Sequence, residues 1–524
     1  MRYAKAGFLL LGLSAALVIP PVGSAAAIPP GPMTFLTAKA SPQNGGEPSI
    51  AAGPGGWLYV TYPGSTGMDF YRSSDNGVHW TAGAIADPGS GDDTVNVDQS
   101  GAVYQGNLNG NLQADSYKSF DHGGHWPIKG KTGSSSDSSN QRFEVDRPWT
   151  DAWIPPGKTT REARVYMNYH DFAPSQVWVN ASRDGGRTFG SAVDVVSSVD
   201  AQIATFCNSS PAGVKVATSG PHAGRIYVAW LAADVATSVA TGCNVTQMDT
   251  FHTVWIAWSD DEGKTWTDQL VLDAGFGHDA AAFWGDLALD NRGNPYIAFA
   301  DNLTDEWDIY VMSSPDAGKT WNGHSDGKGA PYRVGANRGT HFFPAIAVGD
   351  PGMVDVAYLE TPSIVPTLPY GKPQPGGDPN AQWRVGLSQT LDIASASWRQ
   401  NIVTPKPMHV GDVCTLGLFC LPGISDRNLL DFIDVAIDAA GVAHVSYTDD
   451  HDRNCICVSS QISGASVIRR TLTKRQLKLK AKPRVLAVHR TRLAATGLGR
   501  PPIVGGLLFL IVAAGTAVLR RRHA

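Results

Sequence analysis

Six polar residues stand at or near the heads of repeated phrases in this chain: Glu47, Asp146, Arg147, Asp286, His341 and Asp431. Carboxylates gathered on one bond can serve as general acid, general base or nucleophile, the chemistry of glycoside cleavage. An arginine among them offers a planar, bidentate fork for a carboxylate. Trp284 adds an aromatic face of the kind a sugar ring can lie against, and Asp434 follows along the same phrase as Asp431. The competing reading is that these side chains satisfy one another or water inside a channel, as buried polar groups normally do.

A second set of carboxylates has a different pattern. The spacing Ser-x-Asp-x-Gly-x-x-aromatic occurs as SSDNGVHW (73–80), SFDHGGHW (119–126), SRDGGRTF (182–189), SDDEGKTW (259–266) and SPDAGKTW (314–321), with a decayed copy in SQTLDIASASW (388–398). Asp75, Asp121, Asp184, Asp261 and Asp316 can each accept backbone N–H groups of a turn, and the glycine supplies a left-handed conformation. The terminal Trp or Phe anchors that turn in apolar surface. Catalysis needs carboxylates that converge, and a turn repeated at intervals of 46, 63, 77 and 55 residues disperses them. These five aspartates therefore read as scaffold.

The elements that must hold both sets are hairpins. EPSIAAGPGGWLYVTY (47–62), DTVNVDQSGAVYQGN (93–107), GDLALDNRGNPYIAFA (285–300), PAIAVGDPGMVDVAYLE (344–360) and DFIDVAIDAAGVAHVSY (431–447) each alternate apolar and polar residues on either side of a turn. Looser copies span 146–169 and 209–230. Hairpin, third strand, octet turn and fourth strand make one propeller blade. The expectation is an all-β fold, a single propeller of seven four-stranded blades over residues 28–464, with MTFLTAK (33–39) supplying the outer strand of the last blade. Six blades is the alternative, should one loose unit be an insertion.

Composition agrees. The 524 residues include 57 Gly and 34 Pro, and only 17% are charged, as in a turn-rich β protein. Of the 42 Lys and Arg, 14 lie in 465–524 and two in 1–27. That leaves 26 against all 47 acidic residues in 28–464, a net charge of −21. Such a body lacks the basic footprint nucleic acid requires.

The octets resemble the Asp-box, or BNR repeat, of sialidases and other Asp-box propellers, over roughly residues 33–464. The resemblance implies a propeller and a glycan-acting surface. In sialidases an Arg-x-Pro arginine before the first box, two further arginines, a Tyr–Glu nucleophile pair and an Asp acid/base do the chemistry. This chain has no Arg between Met33 and Tyr71; Glu47-Pro48 stands in the matching place, and Arg72 lies beside the first octet, on the outer side of the blade. Unless Arg147 takes over the clamp, ordinary exo-sialidase activity is not expected. The function expected is recognition or processing of glycans, by a glycoside hydrolase if an enzyme. The alternative is a non-catalytic propeller that binds a protein partner or the cell wall.

The six cysteines, Cys207, Cys243, Cys414, Cys420, Cys455 and Cys457, suit disulfides in an exported chain. Cys207 with Cys243 is one expected pair, and Cys455 and Cys457 are expected to pair with Cys414 and Cys420. No zinc spacing and no cofactor is expected; calcium is the single weak candidate, at DDHDRN (449–454). A solvated acidic turn is the plainer reading there, and a loop contact is the plainer reading for His170 and Asp171.

The ends read as addresses. Arg2 and Lys5, the run GFLLLGLSAALV and the small residues of GSAAA form a secretory signal peptide over 1–27. A basic stalk spans 465–492. Leu493-Ala494-Ala495-Thr496-Gly497, the apolar run 503–519 and Arg520 to Arg522 resemble a sortase sorting signal. That resemblance implies cleavage between Thr496 and Gly497 and attachment to a Gram-positive cell wall, with sortase as a partner. A retained C-terminal membrane helix is the other option.

Overall fold

In the computed structural model the described residues run from 31 to 468, apart from internal stretches of which 132–144, 233–250, 365–377 and 415–425 are the longest. The signal peptide, most of the stalk, the sorting signal with Thr496 and Gly497, and Cys207, Cys243 and Cys420 lie outside them. Among the described residues no helix is long and apolar enough to cross a membrane.

The strands form seven antiparallel sheets, each taken from a contiguous piece of chain except the last. The first strands of blades one to seven are Ser49–Ala52, Asp93–Val97, Val145–Trp153, Ser209–Val216, Asp286–Leu289, Thr340–Val348 and Asp434–Ile437. They touch one another in a closed cycle, the seventh against the first. The protein is a seven-blade propeller, and all seven hairpin phrases supply the first two strands of a blade. The sixth blade carries an additional short strand, His409–Val410, on its third strand.

Closure uses the N-terminal strand. Thr34–Ser41 pairs antiparallel with Cys455–Ser463 and is the outer strand of the seventh blade, as the apolar stretch 33–39 suggests. The ring thus leaves no long unpaired sheet edge at its seam. The packed body continues past 464: Val467 is fully buried and its carbonyl accepts from Asp350 N at 2.8 Å. A seven-residue helix, Val199–Thr205, capped by Ser198 Oγ accepting from Ala201 N, is an insertion the repeat pattern does not announce.

Every octet turns between the third strand of its blade and the fourth. In SDDEGKTW, Ser259 Oγ accepts from Gly263 N (3.0 Å), and Asp261 Oδ1 accepts from Lys264 N (3.0 Å), Thr265 N (2.9 Å) and the Ser259 hydroxyl (2.8 Å). Asp261 Oδ2 accepts from Thr265 Oγ1 at 2.7 Å, and Trp266 packs down with Nε1 donating to Gly263 O. Two consecutive residues are left-handed, Glu262 (φ 63) and Gly263 (φ 81), and the other four boxes share this pair. In the first two boxes His79 and His125 replace the threonine, each with Nδ1 2.6 Å from the carboxylate. Burial raises the Asp261 carboxyl slightly, but these hydrogen bonds hold it at about 2.

Candidate functional site

The channel is organised in two layers. In the deeper one, three aspartates on first strands tie blades three, five and seven each to the blade that follows. Asp151 Oδ2 accepts from Val216 N of blade four (2.7 Å), Asp286 Oδ2 from Ile346 N of blade six (2.8 Å), and Asp434 Oδ2 from Ile50 N of blade one (2.8 Å). Each uses Oδ1 on the N–H of its own following residue, Ala152, Leu287 or Val435. Asp434 also accepts from Ser49 Oγ at 3.1 Å, and Ser49 Oγ accepts from Val95 N of blade two, so the tie runs on around the ring. Asp286 and Asp434, read from the sequence as candidate reactive groups, are thus inter-blade struts. Burial pushes Asp286 up to about 7 against the pull of the Lys215 ammonium, which the three carboxylates hold above its usual value.

One layer nearer the mouth the backbone turns unusual. Glu47 (φ 51), Arg147 (φ 56), Trp284 (φ 58), Phe343 (φ 54) and Leu430 (φ 57) are all left-handed non-glycine residues at the heads of first strands. Register breaks accompany two of them, between Asp146 and Trp149 and between Phe342 and Ala345. Such conformations cost of order 1–2 kcal/mol each and gather where the fold aims side chains at a site.

Arg147 is the centre. It is 6% exposed, and its guanidinium lies 3.5 Å from Glu47 Oε1, 3.5 Å from Asp92 Oδ2 and 3.4 Å from Asp431 Oδ2. Its carbon sits 3.5 Å from the Phe432 ring centroid and 4.8 Å from that of Trp284, a cation set against two neighbouring aromatic rings. Arg427 shares the carboxylates, 2.6 Å from Asp431 Oδ2 and 3.8 Å from Glu47 Oε1, while Glu47 Oε1 accepts from Asp431 N. Glu47 is therefore the counter-ion of an arginine.

Asp92 and Asp146, both buried in this cluster, are shifted in opposite directions. Burial raises Asp92 to about 7; burial also acts on Asp146, but the neighbouring His170 brings it down to about 2. His170 Nε2 stands 3.8 Å from Asp146, and its ring meets Trp284 edge-on. At neutral pH this couple offers one ionised acceptor and one carboxyl close to half-protonated.

Glu47, Asp92, Arg147, Trp149, Asp286 and Phe432 are among the walls of a cavity of ≈ 470 Å³, counting its open mouth. Trp149 Nε1, buried in that wall, has no hydrogen-bond partner among the described residues.

The structure therefore joins Glu47, Asp146, Arg147, Asp431 and Trp284 and leaves His341 out. His341 is buried against blade five, its Nδ1 3.0 Å from Asp308 Oδ1 and its N–H on Trp307 O. Asp92, Arg427, His170 and Phe432 complete the cluster without having been singled out for it. The adjacent acids of GDDT (91–94) were a signal for Asp92; Arg427 precedes its blade's hairpin and left none. The five octet aspartates lie in turns of five different blades, and Arg72 caps the carbonyls of Asp121 and His122. In the 449–452 turn, Asp450 Oδ2 is 2.6 Å from His409 Nδ1. Among the described residues no three His, Cys, Asp or Glu are arranged to hold a metal ion. Cys455 and Cys457 carry free thiols, whereas Cys414 is disulfide-bonded. The expected pairing of those two with Cys414 and Cys420 does not form, because strand Cys455–Ser463 turns both sulfurs toward each other.

Fold and site together define a seven-blade propeller with an acidic, aromatic-lined axial mouth. No family model matches the chain. Among solved structures it is similar to an ulvan lyase bound to a glucuronyl-rhamnose sulfate disaccharide (14% identity, 81% of this chain and 95% of that one, TM-score 0.44). It is likewise similar to the lectin of Aleuria aurantia (13%, 72% and 98%, 0.38) and to an intramolecular trans-sialidase of Ruminococcus gnavus (13%, 81% and 95%, 0.34).

Proposed function

We propose that the axial mouth recognises an uncharged or amino-bearing sugar residue of a glycan and does not cleave a sialoside. The observation that carries this reading is the engagement of Arg147: three carboxylates and two aromatic rings already surround it. No fork is left to clamp a substrate carboxylate, and the surrounding acids repel one. What remains accessible suits hydroxyl groups, namely the Asp92–Asp146 couple and the partly exposed ring of Trp284.

The test is a glycan array and a fluorogenic sialoside assay on the full-length protein. Neutral or amino sugars are expected to bind, Trp284→Ala to weaken binding about tenfold, and sialoside turnover to be absent. Sialoside turnover lost on Arg147→Ala would overturn the reading in favour of hydrolysis. Silence on the array would overturn it in favour of a protein or wall partner.

The terminal sequences support display outside the cell, by export through the 1–27 leader and sortase transfer at Thr496. Mass spectrometry of wall-released protein should find Thr496 as the last residue; an intact chain ending at Ala524 in membranes would replace attachment with a retained anchor.

A further inference from the structure

The two thiols at the closing seam belong to no function described so far. Cys455 and Cys457 lie on strand Cys455–Ser463, the third strand of blade seven, onto whose edge the N-terminal strand is zipped. Alternation places both on one face of the strand, both are buried, and their Sγ atoms are 3.4 Å apart. Residues two apart on an extended strand have Cα atoms roughly 6.7 Å apart, inside the roughly 4.4–6.8 Å range disulfides span. Across the seam the register slips, Lys39 facing Cys457 and Ser41 facing Ile456, so the pairing is irregular at this point.

We propose that Cys455 and Cys457 form a thiol–disulfide exchange site that closes to a Cys455–Cys457 bond. The co-reactant is a disulfide, R–S–S–R, small or borne by a protein. The Cys455 thiolate attacks one sulfur of R–S–S–R, giving a mixed disulfide and releasing one thiolate. The Cys457 thiolate then attacks Cys455 Sγ, forms the intramolecular bond and expels the second. Two cysteines lose two electrons, R–S–S–R gains them as two thiols, and the two cysteine protons end on the released thiols.

The order follows from the surroundings. Either sulfur can donate across the 3.4 Å contact; with Cys457 as the donor its S–H lowers the Cys455 thiol against the opposing effect of burial, the Lys39 ammonium adding to the lowering. Cys457, holding that proton, is raised. Thiolate is the nucleophile in exchange, so Cys455 attacks and Cys457 resolves. Tyr447, directly across from Cys457, and the apolar packing around both sulfurs exclude a bulky disulfide from the finished fold. Exchange therefore precedes packing of the seventh blade against the sixth, and the bond is sealed in afterwards.

The test uses the full-length protein recovered by export, denatured without reductant, alkylated and digested with trypsin. The peptide 454–469, between Arg453 and Arg469, is expected without alkyl groups and lighter by two hydrogens. Both cysteines alkylated, or either linked to a peptide carrying Cys207, Cys243, Cys414 or Cys420, would overturn the proposal. Cys457→Ser folded with oxidised glutathione should trap glutathione on Cys455, with Cys455→Ser trapping far less on Cys457. The reverse preference would overturn the assigned order.

Discussion

Replacing Arg147 by methionine tests the site at its centre. The shorter side chain keeps an apolar stem beside Phe432 and Trp284, but the cation facing Glu47, Asp92 and Asp431 at 3.4–3.5 Å is gone. Breaking a buried ion cluster from one side costs roughly 3–5 kcal/mol, because the partners stay buried and unpaired. For the roughly 440 residues spanned by the propeller an unfolding entropy near 0.9 kcal/mol/K converts that into a fall in Tm of about 3–6 °C. The loss should depend on pH, and its sign is fixed. Burial already raises Glu47 strongly and Asp92 to about 7; without the guanidinium both rise further and take up protons as the solution is acidified. A raised carboxyl favours the folded state at low pH and loses that advantage as pH climbs from its unfolded value through its folded one. Uptake of one further proton between pH 8 and pH 5 returns up to roughly 4 kcal/mol, so Arg147→Met should be markedly destabilised at pH 8 and nearly normal at pH 5. Differential scanning fluorimetry of wild type and variant at both pH values decides it. An equal drop at both, or none at pH 8, would refute the picture of an arginine saturated by carboxylates.

Three further outcomes follow from the same network of buried carboxylates and turns. Asp434→Ala strands the N–H groups of Ile50 and Val435 and the hydroxyl of Ser49, and should cost roughly 3 kcal/mol in denaturant unfolding; Asp434→Asn, which keeps an acceptor, should cost less. Asp261→Ala removes the acceptor of Lys264 N, Thr265 N and Thr265 Oγ1; about 2 kcal/mol of stability is expected to go with glycan affinity untouched, and a selective loss of affinity would contradict its scaffold role. Asp355, fully buried with Gln389 Nε2 at 2.9 Å, is raised by burial to about 7. Its contribution to stability is therefore greatest at mildly acid pH and falls between pH 4 and 7, and Asp355→Asn should flatten the Tm profile in that window.

The fold was legible because its signals are local and repeated. An alternating hairpin followed by Ser-x-Asp-x-Gly-x-x-aromatic states three strands and a turn within some forty residues, and even the closing strand shows as an orphan apolar stretch before Glu47. The site was legible only where it touches that repeat. Glu47, Arg147 and Asp431 were found because they head phrases. Asp92 was passed over because its blade's phrase was read from Asp93, one residue late. Arg427 reaches the mouth from ahead of its hairpin, a placement that only closure of the ring creates. His341 misled for the converse reason: its strand is longer at its head than its neighbours, so the same offset lands against Asp308 of blade five instead of in the channel.

The two layers explain how one strand head can be scaffold and site at once. Asp151, Asp286 and Asp434 hold adjoining blades through main-chain N–H groups, so the ring's register does not rest on what stands a few residues earlier. Those earlier positions, Arg147, Trp284 and Asp431, come after a break in regular pairing or beside a left-handed residue, and the local strain is supported by the struts beneath. A propeller built in this way can exchange the residues of its mouth at small cost to its ring. Glu47 stands buried at the head of the first blade. It needs a cation opposite, and Arg147, arriving from the third blade, supplies one. Glu47 and its partner together form a wall in which the arginine is already engaged, and the proposed preference of the mouth for hydroxyl groups rests on that engagement.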